Sequence, residues 1–292
     1  MSIDTDTLID WFDTNGRDLP WRRPECTAWG VLVSEIMLQQ TPVARVEPIW
    51  HEWMIRWPVP SALAAASQGE VLRAWGKLGY PRRALRLHSA ATAIAGKHGD
   101  VVPADVDALL ALPGIGAYTA RAVAAFAYGK RAPVVDTNVR RAVARAVHGA
   151  GDAGPPSTGR DMADVAALLP ANEALAARFS AALMELGALI CTARVPRCAD
   201  CPLHGDCAWQ RNGRPEYAGP AKPVQRYAGT DRQVRGKLLD VLRGTAEPVD
   251  KARLDIVWNE PGQRDRCLDS LLVDGLVEQT PDGRFALPGE HR

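Results

Sequence analysis

Apolar residues recur at helical spacing through most of the first 215 residues. Prolines lie mostly between these stretches, where a residue without a backbone N–H marks a helix boundary. Alternation with a period of two, which is typical of strands, is scarce before residue 270. The pattern predicts an all-α chain, and its clearest helices are Ala28–Gln40, Val71–Leu78, Arg83–Ala95, Ala117–Tyr128 and Val139–Val147.

The pattern changes after residue 215. Proline and glycine interrupt every period over 216–228, which predicts a linker. The segment that follows, 229–292, is expected to fold as a small winged-helix-like module. Its three short helices and two-stranded wing are predicted at Val234–Leu242, Lys251–Trp258, Arg264–Asp274, Leu276–Glu278 and Arg284–Leu287.

The composition is that of a globular protein. Of the 292 residues, 47% are hydrophobic and 24% are charged. No apolar run approaches the roughly 20 residues that span a bilayer. Acidic residues occupy the N-terminus, where a signal peptide would need a basic start. The chain is therefore expected to be cytoplasmic and to have no membrane partner.

Positive charge is concentrated in two runs, although the formal net charge is only +1. Five basic residues and no acid lie between Arg73 and Arg86. Five more, with Asp136 as the only acid, lie between Lys130 and Arg145. Two runs of this kind favour a face that binds nucleic acid over an ordinary solvated surface.

Two glycines interrupt the segment between two predicted helices, Leu112-Pro113-Gly114-Ile115-Gly116. They permit a tight turn and a close approach of the backbone to another surface. Amides at the start of the following helix can bind one phosphate without reading the sequence of the DNA. An ordinary helix–helix connector has the same spacing, so the spacing alone leaves both interpretations open.

Four of the six cysteines are clustered in the spacing C-x6-C-x2-C-x5-C, at Cys191, Cys198, Cys201 and Cys207. Four thiolates satisfy either a tetrahedral zinc ion or a [4Fe–4S] cube. Zinc ribbons usually use two close pairs, whereas only Cys198 and Cys201 are close here. The spacing predicts a metal site and favours the iron–sulfur cluster over zinc.

The hairpin at Leu112–Gly116, followed twenty residues later by Asp136, resembles the helix-hairpin-helix DNA glycosylase superfamily. The resemblance implies that Asp136 is a catalytic aspartate at the mouth of a base pocket. The same residue could simply cap the helix that follows it, and the two roles are compatible. The cysteine spacing is similar to that of the iron–sulfur loop in endonuclease III and the adenine glycosylases, which implies a [4Fe–4S] cofactor.

A second resemblance separates the members of this superfamily. The segment Val33–Thr41 closely resembles the signature of the adenine DNA glycosylases, the MutY family. The resemblance covers roughly residues 5–215 and includes three further matches, at Leu19–Arg22, Leu78–Tyr80 and Met184–Ala188.

The resemblance assigns roles to individual residues. Glu35 would protonate the adenine, Asp136 would stabilise the positive charge on the sugar, and Asn138 would steady the site near Asp136. Periodicity alone places Glu35 off the buried stripe of its helix, so a solvated residue is the alternative. The implied DNA contacts are Leu38, Gln39, Gln40, Thr41, Tyr80, Leu112, Gly114 and Gly116, and the implied base-pocket residues are Arg22 and Trp29.

Tyr118 lies where endonuclease III has its Schiff-base lysine, two residues after the second glycine of the hairpin. A tyrosine cannot form a Schiff base with the sugar, so a catalytic site containing Tyr118 is expected to lack strand-cleaving activity. The mismatch thymine glycosylases of the superfamily also resemble this chain at Tyr118, but they do not share the Ser34–Thr41 signature.

These features predict a monofunctional glycosylase that hydrolyses adenine from DNA opposite 8-oxoguanine, or guanine, in base excision repair. Its partner would be double-stranded DNA that carries this mispair, and the chain would act as a monomer on the bacterial nucleoid. Another glycosylase of the superfamily, of the mismatch thymine or endonuclease III type, is the nearest alternative. A non-catalytic protein that binds damaged DNA is the alternative from a different class.

The predicted domain division is a helix-hairpin-helix glycosylase domain at 1–215, the linker, and the module at 229–292. The first domain would combine a six-helix module at about 25–128 with a cluster module made of the N-terminal helix and 129–215.

The C-terminal segment departs from the family pattern. Many adenine glycosylases end in a much longer Nudix-like domain that reads 8-oxoguanine, and 229–292 is too short for one. The opposite base would then be read by Gln40, Tyr80 and their neighbours. Alternatively, the module adds DNA contacts through Arg232, Arg235, Lys237 and Arg243, or it is an appendage that serves packing or partner binding.

Overall fold

The computed structural model describes residues 3–217, 219 and 227–290 of the chain. Its regular secondary structure is almost entirely helical, which confirms the predicted all-α class. Its helices are α1 (Thr5–Asn15), α2 (Ala28–Met37), α3 (Val43–Arg56), α4 (Pro60–Ala64), α5 (Gln68–Trp75), α6 (Arg82–Lys97), α7 (Val106–Leu110), α8 (Ala117–Tyr128), α9 (Thr137–Ala146), α10 (Thr158–Leu168), α11 (Glu173–Leu189), α12 (Ala208–Arg211), α13 (Asp231–Arg243), α14 (Lys251–Asp255) and α15 (Pro261–Val273). Short 3₁₀ turns lie at Pro20–Arg22 and Cys198–Asp200, and the strands are β1 (Glu278–Gln279) and β2 (Phe285–Ala286).

The residues group into two compact units. The first comprises Met1–Leu32, Ala104–Leu110 and Gly116–Ala221, and the second comprises Val33–Pro103, Ala111–Ile115 and Lys222–Arg292. The domain boundaries drawn from the sequence stay a prediction, and residues 218 and 220–226 of the predicted linker lie outside the described residues. None of the helices in the described ranges is both long and apolar enough to cross a bilayer.

Helix α11 organises the core of the first unit. It packs against α1 and α9, and Phe179 and Leu183 from α11 join Leu8 and Val139 in one buried apolar cluster. Val139 lies in the first turn of α9. Its packing therefore fixes the backbone at the point where Asp136 precedes the helix.

Two buried tryptophans organise the second unit, in which α4 and α5 pack against α6. The rings of Trp53 and Trp75 meet edge to face with centroids 5.6 Å apart. The indole N–H of Trp53 donates to the carbonyl of Ala74 at 3.1 Å, so this polar group stays satisfied in the core. The apolar stripe of α6, which includes Leu87 and Ile94, is fully buried as well.

The C-terminal elements also belong to the second unit. Helices α13, α14 and α15 precede an antiparallel β1–β2 pair, in the order predicted from the sequence. Arg73 of α5 forms an ion pair with Glu290 at 2.5 Å and donates to the carbonyl of Arg243 at 2.5 Å. The amide of Gly69 donates to the carbonyl of Pro288 at 2.9 Å. These bonds attach the C-terminal segment to α5.

The predicted end of the second helix at Gln40 is wrong, because α2 stops at Met37. Gln40 adopts a left-handed conformation with φ of 56°, which a continuing helix does not allow. The freed carbonyls of Ile36 and Met37 instead accept hydrogen bonds from the Arg83 guanidinium, each at 2.9 Å. Leu38, Gln39 and Gln40 therefore lie in a turn, and Gln39 does not continue the helical face of Glu35.

Candidate active site

Asp136 caps the N-terminus of α9. Its Oδ1 accepts a hydrogen bond from the backbone N–H of Val139 at 2.7 Å, and its Oδ2 accepts one from the side-chain amide of Asn138 at 2.9 Å. The predicted capping role is confirmed. Because both oxygens are held, the carboxylate has a fixed position that is compatible with a second, chemical role.

Burial raises the pKa of Asp136 above its usual value. Hydrogen bonds from Val139 and Asn138, and the charge of Arg141, act in the opposite direction without cancelling the effect of burial. A carboxylate that is held in place at such a cost is a frequent feature of functional sites.

Arg141 connects the site of Asp136 with the cysteine loop. Its Nη2 donates to Asn138 Oδ1 at 2.8 Å and to the carbonyl of Gly187 at 2.7 Å, and its Nε donates to the carbonyl of Cys191 at 2.7 Å. Gly187 permits this close packing, since a Cβ there would lie 2.7 Å from the Cβ of Asn138. A continuous chain of hydrogen bonds thus runs from the Asp136 carboxylate to the first predicted metal ligand.

One small cavity in the first unit is lined by all four predicted metal ligands, Cys191, Cys198, Cys201 and Cys207. Arg145 borders this cavity: its Nη1 donates to the Cys191 sulfur at 3.4 Å and to the carbonyl of Thr192 at 2.7 Å. The guanidinium also lies 4.7 Å from the centre of the Trp209 ring. A cation and an N–H donor therefore face the sulfurs.

The thiols affect one another electrostatically. Burial, reinforced by the three other cysteines of the loop, raises the pKa of Cys201 to about 12. In the part of the chain that is described, no three His, Cys, Asp or Glu side chains are already arranged to hold a metal ion. A bound metal ion would reverse the effect on Cys201, because a metal deprotonates the thiol that coordinates it.

Glu35 is buried, with 6% of its surface exposed. The solvated alternative is therefore wrong. The predicted stripe of Trp29, Leu32, Val33 and Ile36 is buried too, but so are Ser34 and Met37, and α2 is enclosed on all sides from Trp29 to Met37. Glu35 is thereby shielded from bulk water, a setting in which a carboxyl group can act as a general acid on a bound base.

Arg83 is a buried residue that holds the predicted DNA-contact segments of the second unit. Besides Ile36 and Met37, its guanidinium binds the carbonyl of Gln39 at 2.5 Å, the hydroxyl of Thr41 at 2.9 Å and the carbonyl of Gly79 at 2.9 Å. Burial lowers the pKa of Arg83 to about 10. One guanidinium thus joins the turn after α2 to the turn before Tyr80.

The predicted DNA-contact residues differ in exposure. Gln40 is exposed, Leu38, Gln39 and Tyr80 are half-buried, and Thr41 is buried with its hydroxyl donating to the carbonyl of Leu78 at 3.1 Å. Gln40 and Tyr80 both have positive φ, of 56° and 47°. Bulky residues rarely adopt this conformation, and it clusters at functional sites.

Replacing Arg83 with lysine is expected to lower the free energy of unfolding by about 2 to 4 kcal/mol. Lysine keeps the charge but has no planar fork to reach two turns at once. Urea denaturation measures the loss, and an Arg82→Lys variant is the matched control because Arg82 is more than half exposed. A difference below about 0.5 kcal/mol between the Arg83 variant and the wild type would contradict this role for Arg83.

The hairpin between α7 and α8 requires a glycine at Gly114 but has room for a side chain at Gly116. Gly114 has φ of 75°, and a Cβ there would lie 2.7 Å from the Cβ of Arg86. Gly116 precedes α8 with open space where a Cβ would point. Leu112 is buried, so it anchors the turn and offers only its backbone to a ligand. Tyr118, in the first turn of α8, is half-buried.

The two predicted base-pocket residues have separate environments. Trp29 is buried in α2. Arg22 donates to Glu185 at 2.9 Å, and Arg17 holds the same carboxylate through two bonds of 2.7 Å. Glu185 is fully buried, and burial alone would raise its pKa, but the bonds from Arg17 and Arg22 lower it to about 2. The Met184–Ala188 match thus contains a structural ion pair.

Replacing Glu185 with glutamine is expected to lower the free energy of unfolding by about 3 kcal/mol at neutral pH, because two partly buried guanidinium groups lose their counter-charge. The folded carboxylate has a pKa of about 2, against an ordinary value of 4.5 for a glutamate in the unfolded chain. Its contribution is therefore complete above pH 4.5 and is lost as the pH falls towards 2. Denaturation at several pH values should show the two proteins converging in acid; a gap that is constant with pH would contradict the assignment.

Comparison with known proteins identifies the family of this chain. Residues 33–165 match the family described as HhH-GPD superfamily base excision DNA repair protein. The adenine DNA glycosylase of Mycolicibacterium smegmatis is 67% identical over 292 residues, which cover 99% of this chain and 98% of that protein. The chain belongs to the adenine DNA glycosylase family. The adenine DNA glycosylase of Mycobacterium tuberculosis is 62% identical over 289 residues, with 99% of this chain and 94% of that protein covered.

The fold agrees with this family. The solved structure of a thermostable thymine-DNA glycosylase superposes with a TM-score of 0.63 at 26% identity, covering 71% of this chain and 95% of that one. The chain is thus a DNA glycosylase with the helix-hairpin-helix fold, as predicted.

In this member of the adenine DNA glycosylase family, the sequence reasoning missed Arg83, Arg141 and Glu185. A signal for Arg83 was available, because it continues the apolar stripe of α6 through Leu87, Ala90 and Ile94 at helical spacing. A charged residue on such a stripe is rarely buried unless it is paired. Except for Asn138, the partners of Arg141 are distant along the chain, as are those of Glu185, and no local pattern indicates them.

Proposed function

We propose that this DNA glycosylase hydrolyses the N-glycosidic bond of adenine mispaired with 8-oxoguanine or guanine in double-stranded DNA, as a step of base excision repair. The observation that carries the proposal is the buried Glu35 within the segment that resembles the adenine glycosylase signature. The near full-length identity to adenine DNA glycosylases supports the choice of base.

Two carboxylates divide the chemistry in this proposal. Adenine is a poor leaving group, so Glu35 donates a proton to the base as the glycosidic bond breaks. Asp136, held by Val139 and Asn138, stabilises the positive charge that develops on the sugar. Water then adds to the sugar carbon, and a carboxylate accepts its proton. The base has to leave the DNA stack first, which costs a few kcal/mol.

Selection of the opposite base is assigned to the segments that Arg83 holds together. Gln40 is exposed on a left-handed turn, and Tyr80 follows a second turn that the same guanidinium binds through Gly79. Leu38 and Gln40 would fill the space of the extruded adenine, and Tyr80 would lie beside the opposite guanine. Gly114 and Gly116 would bring backbone amides to a phosphate.

The experiment that tests this function measures base release under single-turnover conditions from duplexes containing A:8-oxoguanine, A:G, A:C, A:T and T:G. Rapid adenine release from the first two, with little from A:C or A:T, is expected. Release of thymine from T:G without adenine release would favour the thymine glycosylase alternative, which the similarity to a thymine-DNA glycosylase structure motivates. Tight binding without release of any base would favour a non-catalytic protein.

Strand cleavage is the companion measurement. Tyr118 has no amine, so the product strand should stay intact until alkali is added. Borohydride should trap no substantial covalent complex between protein and DNA. Efficient trapping would place the activity with the endonuclease III type instead.

We further propose that Cys191, Cys198, Cys201 and Cys207 hold a [4Fe–4S] cluster. Three features of the site fit such a group: four thiols around one cavity, the Arg145 N–H at 3.4 Å from the Cys191 sulfur, and a spacing with a single close pair. When bound, the cluster would cross-link a loop that has little regular structure of its own. Arg141 would join this loop to the start of α9 through the carbonyl of Cys191.

Replacing Cys198 with serine is expected to reduce the iron content of the purified protein and to remove its broad visible absorption, because the cluster loses one of four ligands. A Cys26→Ser variant is the matched control, since Cys26 lies outside the loop. Metal analysis and absorption spectra give the answer. A colourless wild-type protein with one zinc ion per chain would contradict the cluster assignment.

A further inference from the structure

Arg232, in the first turn of α13, lies against the ring of Tyr80. Its guanidinium carbon is 4.2 Å from the ring centre, within the range of a cation–π contact. The guanidinium is also near Gly79, where a Cβ would lie 3.8 Å from its Nη2. The C-terminal segment therefore contacts the residue that is proposed to lie beside the opposite guanine.

The surroundings of Tyr80 are rich in positive charge. Arg83 lies 5.6 Å from the same ring centre, and the charges of Arg232 and Arg45 both act on Arg83. The guanidinium carbon of Arg232 also lies 5.8 Å from the ring centre of Tyr227, a residue with 54% of its surface exposed. In the described ranges no carboxylate forms an ion pair with Arg232. A guanidinium near two tyrosine rings, in a cationic setting, is suited to an electron-rich or anionic ligand.

The other predicted DNA contacts of α13 serve different purposes. Arg243 donates to the carbonyl of Leu72 at 3.1 Å and attaches α13 to α5. Arg235 pairs with Asp274 at 2.5 Å, and Lys237 lies 5.0 Å from the Trp258 ring. These contacts fix α13 in place, so that Arg232 is presented to Tyr80 from a rigid element rather than from a loop.

We propose that Arg232 is a positioning residue for Tyr80 and that the C-terminal segment thereby takes part in selecting the base opposite the excised adenine. The inference rests on the proposed function. Tyr80 has a strained positive φ of 47°, and such a conformation persists only when its surroundings determine it. Arg83 fixes the backbone on one side of Tyr80, and Arg232 fixes the ring. Removing Arg232 frees the ring and weakens its contact with the opposite base.

The test compares wild type, Arg232→Ala, Arg232→Lys and Arg253→Ala for adenine release from A:8-oxoguanine and A:C duplexes. The expected result is about a tenfold loss of preference for A:8-oxoguanine in Arg232→Ala. Lysine should restore little of it, because it lacks the planar group that stacks on the ring. Arg253→Ala removes an exposed charge from the same segment without touching Tyr80 and should match the wild type.

A double-mutant cycle with Tyr80→Ala separates positioning from an independent DNA contact. If Arg232 acts through Tyr80, the double variant should be no worse than Tyr80→Ala alone. Three results would each overturn the proposal. They are additive losses of the preference for A:8-oxoguanine in the double variant, full restoration of that preference by Arg232→Lys, and tighter binding of the A:8-oxoguanine duplex by Arg232→Ala. The proposed function fails separately: in that case the wild type itself releases no adenine.

Discussion

Replacing Glu35 with glutamine is expected to reduce adenine release by about a thousandfold or more, the range attributed to a general acid. Glutamine has the shape of the carboxyl group but no proton to give to the leaving base. Glu35 is buried within a helix that is enclosed on all sides from Trp29 to Met37, and the isosteric change preserves that packing. Binding to an A:8-oxoguanine duplex should therefore stay within a fewfold of the wild type.

The control for Glu35→Gln is a comparison of its thermal stability and DNA affinity with those of the wild type. Equal thermal midpoints and equal affinities, with release lost, would separate chemistry from folding. Adenine release at the wild-type rate by Glu35→Gln would end the assignment of Glu35.

Replacing Asp136 with asparagine is expected to reduce adenine release by about a hundredfold to a thousandfold, the cost of removing one electrostatic stabiliser of a transition state. Asparagine is as good an N-cap as aspartate, so the bond to the Val139 amide can persist. The loss should appear in the rate of the chemical step and not in the affinity for DNA.

The stability of the same variant gives an independent reading. Burial raises the folded-state pKa of Asp136 above 3.8, so the charged carboxylate costs free energy in the fold at neutral pH. The free energy of unfolding of Asp136→Asn should therefore be at least as large as that of the wild type. The difference between the two proteins should disappear as the pH falls below 3.8, where both side chains are neutral. Asp136→Ala, which also loses the cap, should be less stable by about 1 kcal/mol. An asparagine variant as unstable as the alanine variant would contradict the predicted cost of the buried charge, because it would mean that the charge of Asp136 stabilises the fold.

The sequence predicts the helices best where packing follows local periodicity. Helix α8 has the bounds predicted for it, and α9 begins two residues early because Asp136 caps it at Thr137. The end of α2 could not be predicted in this way. It depends on Arg83, which lies 47 residues after Ile36 and 46 residues after Met37 and binds the carbonyls that a longer helix would have used.

Some residues of the candidate site can likewise be recognised from local sequence, whereas others can be recognised only from the folded structure. Asp136, Asn138 and the four cysteines are recognisable from motif and spacing, and the structure brings Asn138 to Asp136 and the cysteines to one cavity. The ion pair of Glu185 with Arg17 and the stacking of Arg232 on Tyr80 join residues that are far apart in the chain. Such contacts depend on tertiary packing, which no local pattern records.

The most direct measurement of the central claim is the amount of free base released by the purified protein from an A:8-oxoguanine duplex, identified by mass. The expected result is one adenine for each strand processed, with the strand left intact at an abasic site, and release that is slower by about a hundredfold or more for Glu35→Gln and Asp136→Asn. Release of another base, or equal adenine release by the wild type and both variants, would contradict the account.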